Sequence, residues 1–426
     1  MPRLQPNIAL CILGLMLVTQ TGYCATLSLD DCLKLAKERN PLLQTVRWDQ
    51  SVANQQVRQS DSSLYPRVDL QGGYTAQLEP QAMKINGMTM ETQQGSYGFA
   101  NLAATQTIYD FGRRDARRKQ AQSANKAVES GIRSKEQEVS LQVIEAYFAV
   151  LEAEKQVITT QQELQTVTEH RRVARTLYDN GVVTRNDLLQ ADLRSASTRQ
   201  KLLSIQNMVT NLRLQLNFLI GGEPGQQPEL LEPSEAPAAT IPTTDTAKAL
   251  ALRPDLHALR KQLEVNDQEL RESKTLFYPE IFARASMDYL QNDKMREQAI
   301  YAGTIGLKIN LFDGFSSTAS REKSVSTRSR TQQQLQMAEQ QARLEIAMAQ
   351  NDTKVARERI AVTVEAIKQG EENLRINQNR YQERVGTATD VLDAQTLLSQ
   401  SRTEHYRAYY DYQISSARLR KAVGEL

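Results

Sequence analysis

Residues 178–192 read YDNGVVTRNDLLQAD, and residues 381–395 read YQERVGTATDVLDAQ. Tyr178/Tyr381, Val182/Val385, Thr184/Thr387, Asp187/Asp390, Leu189/Leu392 and Ala191/Ala394 recur at one offset of 203 residues. The echo runs further. Asn40-Pro41-Leu42 answers Arg253-Pro254-Asp255, and Leu64-Tyr65-Pro66 answers Phe277-Tyr278-Pro279, both at an offset of 213. Tyr109-Asp110 then answers Phe312-Asp313 at 203, so ten extra residues lie between Pro66 and Tyr109. A chain of 426 residues that repeats a unit of nearly half its length folds as two like halves, not as unrelated domains. The boundaries this predicts are a leader at 1–25, a first repeat at 26–220, a linker at 221–244 and a second repeat at 245–426.

Proline placement draws the coarse map. None of the 12 prolines lies between Pro80 and Pro224 or after Pro279, and five fall within 221–242, which joins the two copies. Each proline-free tract has room for a helix of about 65 residues, on the order of 100 Å long at about 1.5 Å per residue. Both tracts then turn. Asn180-Gly181 supplies a left-handed stop and Thr184-x-x-Asp187 a capping box, while Gly386 is expected to break the second helix before Thr387-x-x-Asp390 restarts it. The returning helices carry apolar and small residues at alternating spacings of three and four, as in Leu188, Ala191, Ser195, Thr198 and Val391, Ala394, Leu398, Ser401. That is coiled-coil spacing, and small seam residues let helices approach closely.

Ahead of each long helix the period changes to two. Val68, Leu70, Tyr74, Ala76 and Leu78 share one face; so do Ile281, Ala283, Ala285, Met287 and Tyr289, with Arg284, Ser286 and Asp288 opposite. Tyr301, Ile305, Leu307, Ile309 and Leu311 alternate with Thr304, Lys308 and Asn310. In 97–109 the pattern is weaker, because Tyr97 and Phe99 start one face while Leu102 and Ile108 lie on the other. Ten-residue strands of this kind fit a transmembrane barrel, and they equally fit a soluble hairpin packed on helices. Four strands cannot close a membrane barrel, so spanning strands would have to be pooled between chains, with three chains giving twelve.

Composition agrees with extended helices rather than a thick core. Aromatics are 6% of residues, and 52 basic residues nearly balance 50 acidic ones, so no bulk attraction to nucleic acid follows. Arg3 and the apolar run Ile8–Val18 have the form of a signal peptide ending near Cys24 or Ala25, which implies export to a bacterial envelope. Tyr23 before Cys24 argues against lipidation, and Cys32 is left without a disulfide partner. No GxxxxGK[ST], HExxH, GxSxG or Cys/His ligand spacing occurs, so neither an enzyme, a metal nor a cofactor is expected. His170, His257 and His405 are scattered, and the basic run at 113–119 reads as a solvated or headgroup-facing collar.

The duplicated segments, with IYDFGR (108–113), LFDGF (311–315) and the C-terminal YYDYQISSARLRKAVGEL, resemble the TolC-type outer-membrane efflux and secretion duct family over about Leu27 to Leu426. The resemblance implies a mainly α chain with a small β part. It would assemble as a homotrimer with a twelve-stranded barrel in outer-membrane lipid and a helical tunnel in the periplasm. It further implies a periplasmic adaptor and an inner-membrane transporter of ABC, RND or MFS type as partners. Drugs, small molecules or unfolded proteins would pass through passively. The absent lipidation signal and short C-terminus resemble the protein-secretion and general-purpose branch more than the drug-efflux branch. The alternative from the residues alone is a periplasmic coiled-coil adaptor or scaffold with no channel.

By the same resemblance, the family's periplasmic aspartate rings fall on Asp390 and Asp393. Six carboxylates around one opening would favour cations and raise one another's pKa. Asp390 also holds a capping-box position, so a helix cap explains it equally well; Asp393, whose first-copy counterpart is Gln190, has no such explanation. Tip-locking residues map to Tyr381 and Asp187, while the arginine position holds Gly386 and neighbouring Arg384 stands where glycine is usual. Tyr381 equally continues the apolar stripe. Adaptor docking would use the turns at Gly181, Val182, Val183 and Thr184 and at Val385, Gly386 and Thr387.

Overall fold

The computed structural model describes residues 26–223, 228–233 and 245–426. The expected leader at 1–25, with the Cys24 lipidation question, and most of the 221–244 linker lie outside the described residues. The first copy runs α1 (Leu29–Arg39), α2 (Pro41–Ser62), β1 (Arg67–Ala76), β2 (Ala82–Ile85), β3 (Met88–Glu91), β4 (Ser96–Tyr109), α3 (Arg113–Asp179) and α4 (Arg185–Leu219). The second runs α5 (Thr246–Leu252), α6 (Pro254–Thr275), β5 (Glu280–Leu290), β6 (Ala299–Lys308), α7 (Ser316–Gln382) and α8 (Ala388–Ala422).

Three pairs of matched helices agree to the residue. Helices α2 and α6 have 22 residues each, α3 and α7 have 67, and α4 and α8 have 35. Prolines open α2 and α6 at the first turn, where a missing N–H costs nothing. Asn40 Nδ2 then donates to the Leu219 carbonyl at 2.8 Å, and its counterpart Arg253 donates to the Ala422 carbonyl at 3.2 Å. Each copy thus ties the start of its short helix to the end of its returning helix.

The duplicated Asp-aromatic motif also acquires a physical reason. Asp110 accepts from the Arg114 amide at 3.0 Å, and Asp313 accepts from the Ser317 amide at 2.9 Å, each closing the open N-terminal turn of a long helix. Between cap and helix two consecutive residues are left-handed, Phe111-Gly112 in one copy and Gly314-Phe315 in the other. One glycine in each pair relieves half of that strain.

Strands pair antiparallel in the order β1-β4-β5-β6, so the sheet joins the copies across β4 and β5. Register decides the faces. Leu70 pairs Leu102, Leu102 pairs Met287, and Met287 pairs Tyr301, which makes one continuous apolar face. Asp69, Ala103 and Ser286 share the other with Asn101 and Asp288. The weak pattern at 97–109 is resolved by this register: Leu102 carries the apolar face, and Tyr97 and Phe99 lie on the polar one. Phe99 there covers Gly73, and Phe282 likewise covers Gly306; a Cβ at either glycine would sit 2.8 or 2.5 Å from the ring. The ten extra residues of the first copy are a second hairpin, β2-β3, between β1 and β4.

Below the sheet, α3 is flanked by α2 and α6 in its upper part and by α4 and α8 in its lower part, and α7 lies beyond α6 and α8. The largest core forms at mid-height, where Tyr147, Phe148 and Val150 of α3 meet Leu43, Leu216 and Tyr410. Here residues 228–233 of the linker are tied down: Leu27 bridges Leu230 in parallel, and the Tyr147 hydroxyl shares its proton between the carbonyls of Leu27 and Leu231.

Candidate functional site

Both helical hairpins turn by the same device. In the first, the Val182 amide donates to the Leu177 carbonyl and the Gly181 amide to the Tyr178 carbonyl, each at 2.8 Å, with Gly181 left-handed at φ +70°. In the second, Val385 donates to Arg380 at 2.9 Å and Arg384 to Tyr381 at 3.2 Å, with Arg384 left-handed at φ +63°. These are paired Schellman bonds, which satisfy the last carbonyls of a helix. The helix break expected at Gly386 therefore belongs to Arg384. Gly386 is needed for space: a Cβ there would stand 3.0 Å from Arg380 Cβ.

Restart follows from the capping boxes. Asp187 accepts from the Thr184 amide at 2.9 Å, and Asp390 from the Thr387 amide at 3.0 Å. Those bonds, with the Arg380 charge, hold the Asp390 carboxyl below its ordinary range. Within one chain Asp390 fills the cap position. Asp393, one turn on, is exposed and makes no hydrogen bond or ion pair among the described residues.

Tyr381 is 7% exposed and lies in an apolar cluster with Leu374, Val391 and Leu398. Its hydroxyl has no partner among the described residues; burial, then the Asp187 carboxylate, pushes its pKa up. The three tip-lock candidates Tyr381, Asp187 and Arg384 are not joined by a hydrogen bond in one chain. Asp187 is committed to its cap, and Arg384 is exposed at the turn. His170 instead lies against Tyr381, beside a cavity of about 400 Å³ also lined by Gln165, Gln378 and Gln382. Burial holds the His170 pKa below its ordinary value.

Bonds between the copies run elsewhere. Thr389 Oγ1 donates to Gln190 at 3.3 Å, and Arg194 to Thr396 at 2.5 Å. Within the first copy, Arg194 and Lys201 hold Glu163, a carboxylate only 2% exposed, at 3.1 Å each. These links escaped the sequence reading because they join residues far apart in the chain. Val182 and Val385 are exposed at the two turns and leave apolar tips free.

At the opposite end, Leu70, Tyr74, Tyr301, Ile305 and Leu307 present a wide exposed apolar face. Below it Tyr65, Tyr109, Phe111, Tyr278 and Phe312 are exposed, with Phe111 stacked on Tyr278 at 5.2 Å between centroids. An apolar band bordered by aromatics is the pattern of a barrel wall facing lipid. No helix of the described residues is long and apolar enough to cross a membrane. The basic run is solvated at Arg117, Arg118 and Lys119 and is also ion-paired. Arg113 pairs with Glu280, Arg117 with Glu272 and Arg118 with Asp61, which fastens α3 to its neighbours, while Arg114 pairs with Asp110 and Lys119 with Asp115 locally.

Comparison with known proteins is consistent along the whole chain. The family model for the outer membrane efflux protein matches residues 32–222 and 246–425. The outer membrane protein TolC of Vibrio cholerae is 21% identical over 403 residues, covering 92% of this chain and 89% of that protein. The outer membrane efflux protein BepC of Brucella suis is 22% identical, covering 98% and 89%. The crystal structure of VceC from Vibrio cholerae superposes with a TM-score of 0.81 at 22% identity, covering 93% of this chain and 96% of that one. With both copies matched over nearly their full length, this chain belongs to the outer membrane efflux protein family.

Proposed function

We propose that three copies of this chain close a twelve-stranded barrel and continue it as a helical tunnel whose inner end is gated at the paired turns, with Asp393 lining the constriction. The chain is an outer-membrane exit duct for efflux or type I secretion. The observation that carries the trimer is the sheet's two open edges. Strands β1 and β6 have no outer partner in one chain, and unpaired strand edges are not viable in lipid.

Two further features support lateral neighbours. Met337, Leu344, Met348, Val355 and Val362 are exposed along α7 at near-heptad spacing, an apolar seam without a helix against it. Tyr178, the counterpart of Tyr381, is exposed, as a surface awaiting cover from another copy would be. In this reading Gly181–Thr184 and Val385–Thr387 meet a periplasmic adaptor, an inner-membrane transporter of ABC, RND or MFS type supplies energy, and the apolar sheet face meets outer-membrane lipid. Asp390 serves as a cap. The ring role passes to Asp393, whose free carboxylate in three copies would favour cations. Tip closure rests on the Thr389–Gln190 and Arg194–Thr396 bonds, rather than on Tyr381, Asp187 and Arg384.

The test is single-channel conductance in a planar bilayer, parent beside Asp393→Asn. A cation-selective parent whose selectivity weakens in the variant supports the reading, and an indifferent variant removes Asp393 from the constriction. A well-folded trimer without conductance sinks the duct itself and returns the scaffold alternative.

A further inference from the structure

Three of the ten methionines fall within eight residues, Met83, Met88 and Met90, all on the extra hairpin that the second copy lacks. Asn86 and Gly87 at its turn both have positive φ, +50° and +86°, the geometry of a two-residue turn that fixes strand register. Met83 is the direct partner of Met90, and Ile85 of Met88, so all four share one face. Ala82, Lys84, Thr89 and Glu91 occupy the other.

That second face and the hairpin's base are engaged. Glu91 forms an ion pair with Lys294, Asn292 Nδ2 donates to the Thr92 carbonyl at 2.9 Å, and Gln94 donates to Asp293 at 2.8 Å. The loop after β5 therefore braces the hairpin, while Met83, Met88 and Met90 remain 56%, 72% and 58% exposed. A strand that needs apolar cover alone favours β-branched and aromatic residues, as Ile85 illustrates. Three thioethers on one braced face are a different chemical statement.

We propose that Met83, Met88 and Met90 bind one soft monovalent d10 cation, Cu+ or Ag+, through their three sulfurs. Direct cross-strand Cβ atoms stand about 5 Å apart and same-face neighbours along a strand about 6.7 Å apart. Flexible methionine side chains converge across such gaps. Thioether ligands are neutral and soft, so they select Cu(I) over hard divalent ions. The hairpin's one carboxylate, Glu91, lies on the opposite face and is committed to Lys294. The site is a property of the hairpin and does not depend on conduction, so it can fail while the duct stands, or stand while the duct fails.

The test titrates the full-length trimer in chloride-free detergent solution with Ag+, and anaerobically with Cu+ against a chromogenic chelator. One ion per chain is expected, with sulfur-only coordination in X-ray absorption and at least ten-fold weaker binding in the Met83→Leu/Met88→Leu/Met90→Leu triple variant. Met88→Leu alone, at the turn, is expected to weaken binding by a smaller factor, and Met295→Leu on the bracing loop to change nothing. Unaltered trimer mobility on a native gel checks that each variant is folded. Retained affinity in the triple variant, nitrogen or oxygen ligands in the absorption spectrum, or equal binding of Zn2+ overturns the proposal and leaves an apolar face only.

Discussion

The imidazole of His170 lies against the ring of Tyr381 with centroids 5.1 Å apart, and neither the His170 Nε2 nor the Tyr381 hydroxyl has a hydrogen-bond partner. Two rings, each with an orphaned polar atom, thus lie together just above the turn, where a latch would be expected. Within one chain Tyr381 packs in the apolar cluster of Leu374, Val391 and Leu398. Replacing it with Phe removes a buried, unpartnered hydroxyl and is expected to leave stability unchanged or raise it by up to about 1 kcal/mol. Tyr381→Ala empties the site and is expected to cost about 3–5 kcal/mol. Thermal melting ranks the two, and a Phe variant with markedly increased conductance would restore a hydrogen-bonded latch.

The same pair makes the tip sensitive to acid. Burial lowers the His170 pKa from its ordinary 6.5, so the unfolded chain takes up a proton before the folded chain does. The stabilisation is whole above about 6.5 and is lost as pH falls from there through the lower folded value. His405 shifts in the same direction for the same reason. Parent protein is therefore expected to lose more thermal stability between pH 7.5 and 5.5 than His170→Gln, which retains the His405 share. Equal losses would show that His170 is hydrated.

Turn geometry gives a third expectation. Arg384 holds a left-handed conformation that costs a non-glycine residue about 1 kcal/mol. Arg384→Gly is expected to slow amide exchange at Leu374–Val391, whereas Gly386→Ala, which forces a Cβ toward Arg380, is expected to accelerate it. The opposite order would place the strained residue at 386 after all.

In the sheet, Phe99 and Phe282 each lie over a glycine of the neighbouring strand. Uncovering an in-sheet glycine removes its cross-strand partner, an effect of about 0.2–1 kcal/mol per site. Phe99→Ala and Phe282→Ala should each lower the temperature at which the trimer dissociates in SDS, and together lower it further. No change would mean that lipid, not the rings, covers those glycines.

Much of this was legible in the sequence because the duplication supplied two readings of every element but the extra hairpin. The seams, both capping boxes and the matched long helices follow from spacing alone. The helix stop at 384 did not, because glycine at 386 is the louder signal and an arginine at positive φ leaves none. Strand 97–109 misled because Phe99 is aromatic yet faces the polar side, where its task is to cover Gly73. The extra hairpin was within reach: Asn86-Gly87 flanked by Met83, Ile85, Met88 and Met90 is a strong local hairpin signal. The ion pairs of the basic run were not legible, because its partners Asp61, Glu272 and Glu280 lie on other elements, and a one-dimensional reading cannot pair them.

The equality of the two 67-residue helices also limits how this chain can vary. Removing one residue from either would draw its tip back by about 1.5 Å and turn everything beyond by about 100°. Each copy is consequently the gauge against which the other is measured, and growth is confined to places the gauge does not cross. The ten added residues stand at the far outer end of the sheet, beyond the reach of that constraint.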